Sequence, residues 1–377
     1  MKIGFICGSL EEGKDGVGDY VRKFSSELIR MGHQVVIAAI NDQHITMPFT
    51  GVQQFTNVDI PVLRLPSVEH IDNKIAVLKT WMTAFGPDRL SLQFVPFSFD
   101  KRGLTFSLGK KLRSAFPAAN WHIMFHELWV GMKSDSSFKL RAWGTLQKLL
   151  IQNMISVLQP TKMHTQTHLY QAQLWDAGYT ASLLPLFGNI PLIKDSQTDI
   201  VDSKQINLVH FGSIYPNAPI VQFAADMAQY SKKADVLVTL NIIGRSGPEK
   251  ADWMAQFKSH GLTVNDLGER NVDEIAELFS KADLGIATTA CALIEKSGSV
   301  AAMREFGLPV ICVAAPWRPD KKFRIKNMTD VFEYQENNLD DFMYNRHHSP
   351  YIINVSVVAN LFINALVDSH QLNPELS

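Results

Sequence analysis

The sequence is short of cysteine and of unbalanced charge. Its 377 residues include three cysteines, Cys7, Cys291 and Cys312. These form neither a disulfide framework nor a metal-binding pattern, and each lies in or beside an apolar segment, so we expect small buried residues in a reducing compartment. The formal net charge is −1, without the positive excess that a nucleic-acid-binding surface needs. We therefore expect no nucleic-acid partner.

Long apolar runs are also missing. The longest charge-free apolar segment, 351–367, is short for a bilayer and contains three asparagines, so it predicts a packed helix and not a membrane span. The chain opens on a strand-like segment, and no signal peptide is apparent. These features predict a cytoplasmic protein. Local basic patches leave open a peripheral contact at the inner face of a membrane.

Two common enzyme motifs are absent. The sequence has no Gly-x-x-x-x-Gly-Lys-Ser/Thr, which argues against a P-loop nucleotidase, and no Gly-x-Ser-x-Gly, which argues against a serine hydrolase with a nucleophile elbow.

What is present is an alternation of strand and helix patterns. Segments 3–6 and 35–40 are apolar strands, and residues with helical spacing lie between them. After a polar linker at 187–204 the pattern starts again with a strand at 206–211. We therefore predict an α/β protein with mostly parallel sheets in two domains, 1–190 and 200–350. A C-terminal helix and tail, 351–377, should pack back on the first domain.

Ligands of such sheets bind beyond the carboxyl ends of the strands, so we expect both domains to face a central cleft with loops. The most informative of these loops follows a predicted strand at 284–287. A helix N-terminus there would offer N–H groups to phosphate, and neighbouring charges would suit a sugar. The alternative is an ordinary polar loop with a solvated ion pair. The candidate residues are Glu295, Lys296, Ser297, Gly298 and Ser299.

The first domain has a glycine-containing loop before its first helix. Gly16 and Gly18 precede that helix, but Val21 occupies the third glycine position of a dinucleotide-binding motif, and the glycines lie far beyond the strand. We interpret the loop as one that closes over a ligand in the cleft.

Two histidines four residues apart suggest a metal site at first sight. His122 and His126 lie on or beside a predicted strand at 121–125, where such residues are separated by roughly 13 Å, so one metal ion cannot bind both. His126 and Glu127 are better candidates for ligand contact, because they follow the strand's carboxyl end. The alternative for His126 is a loop histidine bonded to backbone.

Two further strand ends carry charge. Arg245 follows Gly244 after a buried strand and is a candidate for phosphate binding or an exposed turn residue. Glu269 follows Gly268 in a similar position, where backbone groups would meet a base edge.

Three segments together resemble a known family. The run 16–35 is similar to the start of the family 4 glycosyltransferases of the GT-B fold. Leu267-Gly-Glu, the run 277–286 and Gly307-Leu-Pro-Val resemble the second domain of that family. The resemblance implies two Rossmann-like domains facing a central cleft, with a nucleotide sugar bound mainly by the second.

The resemblance also implies residue roles. Glu295 matches the first glutamate of the family's Glu-x7-Glu motif, which contacts sugar hydroxyls, and the segment 297–299 matches a loop that meets phosphate and sugar. Gly16 and Gly18 match a loop that approaches the diphosphate. His126 matches a strand-end histidine near the reacting sugar. His126 and Glu295 are therefore the candidate catalytic residues.

The sequence departs from the family in two places. The second glutamate is replaced by Met303, or by Ala302 if the alignment shifts by one. The family's Arg and Lys phosphate pair is absent from 213–217, so Lys296 or Arg245 would have to supply that charge.

These observations predict a retaining glycosyltransferase that moves a sugar from a nucleoside-diphosphate sugar to a glycan or lipid-linked acceptor in polysaccharide biosynthesis. The favoured donor is a UDP-sugar such as UDP-glucose. No Asp-x-Asp occurs in the chain, so we expect no metal and no cofactor beyond the donor. Two alternatives stay open: a nucleotide-sugar epimerase on the same scaffold, and a non-enzymatic two-domain sugar-binding protein.

Overall fold

The computed structural model describes residues 1–192, 204–323, 328–346, 348 and 353–371. For residues 368–371 only the backbone is described. The chain divides into two compact units. The first comprises Met1–Pro185, Pro319–Phe323 and Val355–Ser377, and the second Leu186–Arg318 and Arg324–Asn354. Of the predicted linker, residues 193–203 lie outside the described ranges.

Strands and helices alternate along most of the chain. The strands are β1 (Lys2–Cys7), β2 (Gln34–Asp42), β3 (Phe49–Phe55), β4 (Val58–Pro66), β5 (Arg89–Phe94), β6 (Trp121–Phe125), β7 (Lys162–Thr165), β8 (Ser182–Leu183), β9 (Gln205–Phe211), β10 (Leu237–Ile243), β11 (Thr263–Gly268), β12 (Leu284–Ala287), β13 (Val310–Cys312) and β14 (Val331–Glu333). The helices are α1 (Gly16–Arg30), α2 (Ile71–Phe85), α3 (Pro96–Phe99), α4 (Leu108–Ala115), α5 (Phe138–Leu158), α6 (His168–Asp176), α7 (Ile220–Ala234), α8 (Lys250–Ser259), α9 (Val272–Ser280), α10 (Gly298–Glu305), α11 (Leu339–Asn345) and α12 (Val355–Gln371). A 3₁₀ turn at Cys291–Lys296 precedes α10.

The first unit is built on an eight-stranded sheet with the order β3-β4-β2-β1-β5-β6-β7-β8. Every pair is parallel except β3 with β4, which is antiparallel. Strands β5 and β6 are buried along their whole length, as expected for central parallel strands covered by helices on both faces. The carboxyl ends of β1, β5 and β6 therefore share one edge of the sheet.

The second unit has a six-stranded, all-parallel sheet with the order β11-β10-β9-β12-β13-β14. Apolar side chains cover both of its faces. One cluster includes Phe223, Trp253 and Phe257 from α7 and α8, and the other includes Phe279 and Met303 from α9 and α10. Each unit is thus a Rossmann-like layer of parallel strands between helices, as the sequence predicts.

The C-terminal helix belongs to the first unit. The Phe362 ring of α12 is fully buried, with ring centroids 6.1 Å from Phe5, 5.2 Å from Phe24 and 5.0 Å from His122. The prediction that this helix packs on the first domain is confirmed. Within the described residues, no helix is both long and apolar enough to cross a bilayer.

Candidate functional site

Three neighbouring strands of the second sheet end in glycine. Gly212 follows β9 with a φ of 95°, Gly244 follows β10 with a φ of 92°, and Gly268 ends β11 with a φ of 62°. A Cβ on Gly244 would lie 3.7 Å from the Gly212 nitrogen. We call these three residues the glycine edge: backbone without side chains, at the end of the sheet where ligands of such folds bind. From the sequence, Gly244 and Gly268 were considered only as the residues before Arg245 and Glu269. A glycine at the end of three successive strands is the pattern that could have predicted the glycine edge.

The N-terminus of α10 lies beside this edge. Ser297 caps the helix by accepting a hydrogen bond from Val300 N at 3.4 Å, and its hydroxyl lies 3.1 Å from that of Ser299. A Cβ on Gly212 would lie 3.9 Å from the Cβ of Ser299, whereas a Cβ on Gly298 would meet nothing within 4 Å. The structure therefore brings the predicted loop and the glycine edge together. Both offer polar backbone groups suited to an anion.

Glu295 and Lys296 occupy the 3₁₀ turn that leads into α10, and both are half-buried. Glu295 also lines a cavity of about 690 Å³ whose other walls include Arg318, Glu333 and Asn338. The predicted residues at the helix start do not line that cavity. The carboxylate thus lies on the border between the helix start and the edge strand β14.

The position of the missing family glutamate is buried. Met303 is fully buried, and its sulfur would lie 2.6 Å from a Cβ on Gly285. Ala302, the alternative position, is also fully buried, and its Cα would lie 2.6 Å from a Cβ on Gly188. Both positions point into the packing of the second unit, so a ribose-binding carboxylate has no place at either.

Arg245 is paired with another predicted site residue. Its guanidinium forms an ion pair with Glu269, and the side chains are 75% and 58% exposed. Exposed pairs of this kind contribute little to stability, because water screens them. Exchanging the Glu269 carboxylate for a phosphate would therefore cost Arg245 little free energy.

In the first unit, the start of α1 already carries an anionic cap. The Asp15 carboxylate accepts a hydrogen bond from Gly18 N at 2.7 Å. Burial raises the pKa of Asp15, against the N–H groups of Gly18 and Val17, which lower it. A Cβ on Gly18 would lie 2.7 Å from the carbonyl oxygen of Ser9, whereas one on Gly16 would meet nothing. Packing thus accounts for Gly18, and only Gly16 leaves open space.

A buried ion pair, which the sequence did not reveal, holds the same loop. Asp42 at the end of β2 is fully buried and accepts hydrogen bonds from Arg64 Nε at 2.7 Å, Ser9 Oγ at 3.1 Å and Leu10 N at 3.2 Å. Burial alone would raise the pKa of Asp42, but Arg64 first and then the backbone N–H groups of His44 and Leu10 lower it below its usual value. Arg64 also bonds Glu11 at 2.6 Å. The Asp42–Arg64 pair therefore holds the loop before α1 through its contacts with Ser9, Leu10 and Glu11.

His126 follows β6 and is 5% exposed. Its Nε2 lies 2.9 Å from Gln93 Oε1, and its ring makes a T-shaped contact with that of Tyr20, with centroids 4.9 Å apart. Burial lowers the pKa of His126 to about 4, although a side-chain hydrogen bond with Gln166 opposes this. The ring is thus neutral at pH 7 and held by side chains. The sequence-based alternative had given it a backbone partner.

Two other predicted features are also placed. Glu127 is half-buried, and its backbone N–H donates to the Phe94 carbonyl at 3.4 Å. His122 is fully buried, and its two ring nitrogens contact Ser91 and His164. Among the residues that the structure describes, no three His, Cys, Asp or Glu side chains are grouped as metal ligands.

Comparisons with known proteins give a clear result for the fold. No protein-family model matches the sequence, and no curated protein matches it. Solved structures do match. HepE from Anabaena, in complex with UDP and glucose, is similar with a TM-score of 0.55 and 15% identity, over 99% of this chain and 98% of its own. The chain has the GT-B fold.

Two further solved structures illustrate the range of the likeness. The lipopolysaccharide outer core galactosyltransferase WaaB matches with a TM-score of 0.57 and 14% identity, over 99% of both chains. The UDP-GlcNAc 2-epimerase from Neisseria meningitidis, bound to UDP-GlcNAc, matches with 0.51 and 12%, over 98% of this chain and 100% of its own. Because transferases and epimerases match alike, function has to be argued from the residues.

Proposed function

We propose that this protein is a glycosyltransferase of family 4 type that uses a nucleoside-diphosphate sugar, with a UDP-sugar such as UDP-glucose as the first candidate. The observation that carries the proposal is the junction of the glycine edge with the N-terminus of α10, where Gly212 lies beside Ser299. Such a junction suits the close approach of a diphosphate to backbone.

The chemistry follows from where charge develops. Breaking the bond between the sugar carbon and the diphosphate leaves negative charge on the phosphate oxygens. Helix N–H groups fixed in advance stabilise that charge, and Arg245 adds a cation after leaving Glu269. Glu295 is proposed to orient the sugar through its hydroxyls. In the first unit, His126 is the proposed catalytic residue that meets the sugar.

Retention of configuration and independence of metal complete the proposal. Retention rests on the resemblance to the family, and independence of metal rests on the missing Asp-x-Asp motif. The acceptor is proposed to be a glycan or lipid-linked glycan in polysaccharide biosynthesis. We also propose a cytoplasmic location with peripheral membrane contact. If the protein does not co-sediment with anionic vesicles, the proposed membrane contact is wrong.

A second candidate function is nucleotide-sugar epimerisation. It is supported by the epimerase that shares the fold and by the absence of the second family glutamate at Met303 and Ala302. An epimerase needs acid and base groups on both faces of the sugar. Glu295 is the one half-buried carboxylate among the predicted residues of the donor loop.

Thermal shift with UDP, GDP and ADP, each with and without Mg²⁺, tests the donor site. A ligand at a hundred times its Kd stabilises by about 2.7 kcal/mol, so the favoured nucleotide should raise the Tm by a few degrees in either condition. No response to any nucleotide would contradict the proposal, and a response only with Mg²⁺ would remove metal independence. Product analysis with UDP-GlcNAc separates the alternatives, because an epimerase yields the C2 epimer and a transferase releases UDP.

A further inference from the structure

A chain of hydrogen bonds between side chains crosses the first sheet behind His126. His126 Nε2 lies 2.9 Å from Gln93 Oε1, and Gln93 Nε2 donates to Ser91 Oγ at 2.7 Å. Ser91 Oγ lies 2.7 Å from His122 Nδ1, and His122 Nε2 lies 2.9 Å from His164 Nδ1. The chain thus links β5, β6 and β7 through five side chains.

All five side chains are withdrawn from water. Ser91 and His122 are fully buried, Gln93 and His164 are 2% exposed, and His126 is 5% exposed. Water cannot replace a lost partner at such positions, so a donor at these contacts has to meet an acceptor within the protein. The protons along the chain are therefore interdependent.

The amide of Gln93 gives the chain a direction, because its oxygen only accepts and its nitrogen only donates. His126 must donate from Nε2 to the amide oxygen. Ser91 accepts from the amide nitrogen, so its own proton goes to His122 Nδ1. His122 then donates from Nε2 to His164. Along these four contacts one arrangement of protons is consistent, with all three histidines neutral and protonated on Nε2.

Neutral histidines agree with the surroundings. Burial lowers the pKa of His122 well below its usual value, and it lowers the pKa of His126 and of His164 to about 4. The positive charge of Lys162 acts on His122 and His164 in the same direction. The Phe362 ring covers this end of the chain, 5.0 Å from the ring of His122.

We propose that Gln93 is a positioning residue for His126, set in orientation by Ser91 and His122, and that it holds His126 as the neutral Nε2–H tautomer. His126 then presents Nδ1 as a hydrogen-bond acceptor. The Gln166 side chain also hydrogen-bonds His126, and the Tyr20 ring centroid lies 4.9 Å from that of His126. The role of this acceptor in catalysis rests on the proposed function. The tautomer itself does not.

Nitrogen-15 NMR of the histidine-labelled protein tests the tautomer at pH 7 without any substitution. The imidazole signals lost in His126→Gln assign the residue. We expect one protonated nitrogen, Nε2, and one unprotonated nitrogen, Nδ1. A proton on Nδ1, or on both nitrogens, would overturn the proposal, whatever the enzyme is found to do.

Gln93→Leu tests the consequence for turnover, read as UDP released from UDP-glucose. The leucine keeps the volume but removes the Gln93 acceptor and leaves Gln166 as the other side-chain partner of His126, so the ring should populate both tautomers in the NMR spectrum. We expect kcat to fall about tenfold to a hundredfold, as misplaced catalytic groups do, with the donor KM changed less than twofold. An unchanged kcat beside an altered spectrum would overturn the positioning role.

Gln173→Leu is the matched control. Gln173 on α6 is 3% exposed, and its Nε2 has no hydrogen-bond partner among the described residues. This substitution also removes a buried amide from the first unit but leaves the chain intact, so kcat and the His126 signals should stay as in the wild type. If the wild type binds no nucleotide and releases no UDP, the proposed function fails while the NMR result still decides the tautomer.

Discussion

Single glycines in the second unit differ in what surrounds them. Gly244 lies on the glycine edge with Gly212 beside it, whereas Gly247, three residues later, is exposed and a Cβ there would meet nothing within 4 Å. Both have positive φ, 92° and 83°. The positive φ favours glycine at both positions, so alanine should destabilise the fold similarly at each. Nucleotide binding is the property in which the two variants should differ.

This difference makes a prediction about nucleotide binding. Alanine at Gly244 or at Gly247 should each cost about 1–2 kcal/mol through the left-handed backbone, read as a similar fall in the urea midpoint. Only Gly244→Ala adds a methyl group to the edge, so it should abolish the Tm rise with UDP, and Gly247→Ala should keep it. A normal UDP response in Gly244→Ala would show that the diphosphate lies elsewhere.

The sequence located individual residues better than it located their partners. His126 and Gly244 could be placed at strand ends, because each directly follows a run with the apolar pattern of a buried strand. Gln93 is one strand away from His126 in the sheet and 33 positions away in sequence. No local pattern records such a pairing, which arises only once the strands are ordered.

Secondary structure elements show the same division between local and distant information. The sequence pattern predicts helices at 250–259 and 272–280, and α8 and α9 have these bounds. Helix α9 begins with a capping box between Asn271 and Glu274. Gly268 and Glu269 were expected at a strand end, but the bounds of β11 were not predicted, because this edge strand is largely exposed and lacks an apolar alternation. The apolar segment 182–186 also predicts a strand, but β8 covers only Ser182–Leu183. Local pattern thus suffices where one face of an element is buried.

Helix α12 offers a test of how much one element contributes to the first unit. Phe362 is fully buried against three aromatic rings, and its neighbour Leu361 is 45% exposed. Phe362→Ala should lower the free energy of unfolding by about 3–5 kcal/mol, because it leaves a cavity. Leu361→Ala, on the outer face of the same helix, should cost less than about 1 kcal/mol. Urea denaturation of both variants measures the difference, and equal losses would mean that α12 is not anchored by its inner face.

At the scale of the whole molecule, the sequence predicted two Rossmann-like domains because the strand and helix alternation stops and starts again. It gave no sign that 319–323 belongs to the first unit. That short segment is held by distant contacts: Asp320 N donates to the Met132 carbonyl at 2.8 Å, and Lys321 pairs with Asp176 at 2.6 Å. The unit to which a chain segment belongs depends on such contacts between distant residues, and no repeating sequence pattern predicts them.

Buried histidines occur in both units and make stability depend on pH. The pKa of His126, His164 and His210 is lowered to about 4 by burial; for His210 this outweighs the two backbone carbonyls at its ring nitrogens. In the unfolded chain these groups titrate near 6.5. Between pH 6.5 and 4 the unfolded chain therefore binds protons that the folded chain does not, so the free energy of unfolding falls as the pH falls.

The expected slope is up to about 1.4 kcal/mol per pH unit for each histidine within that window, and close to zero above pH 7. Asp15, whose pKa burial raises, acts in the opposite direction as a single group. Asp42, with a lowered pKa, adds to the loss only below about pH 4. Urea midpoints at pH 7.5, 6.5, 5.5 and 4.5 measure the slope, and His210→Asn should reduce it by the share of one proton. A midpoint that stays constant from pH 7.5 to 4.5 would show that these histidines take up protons in the folded protein as they do in the unfolded chain.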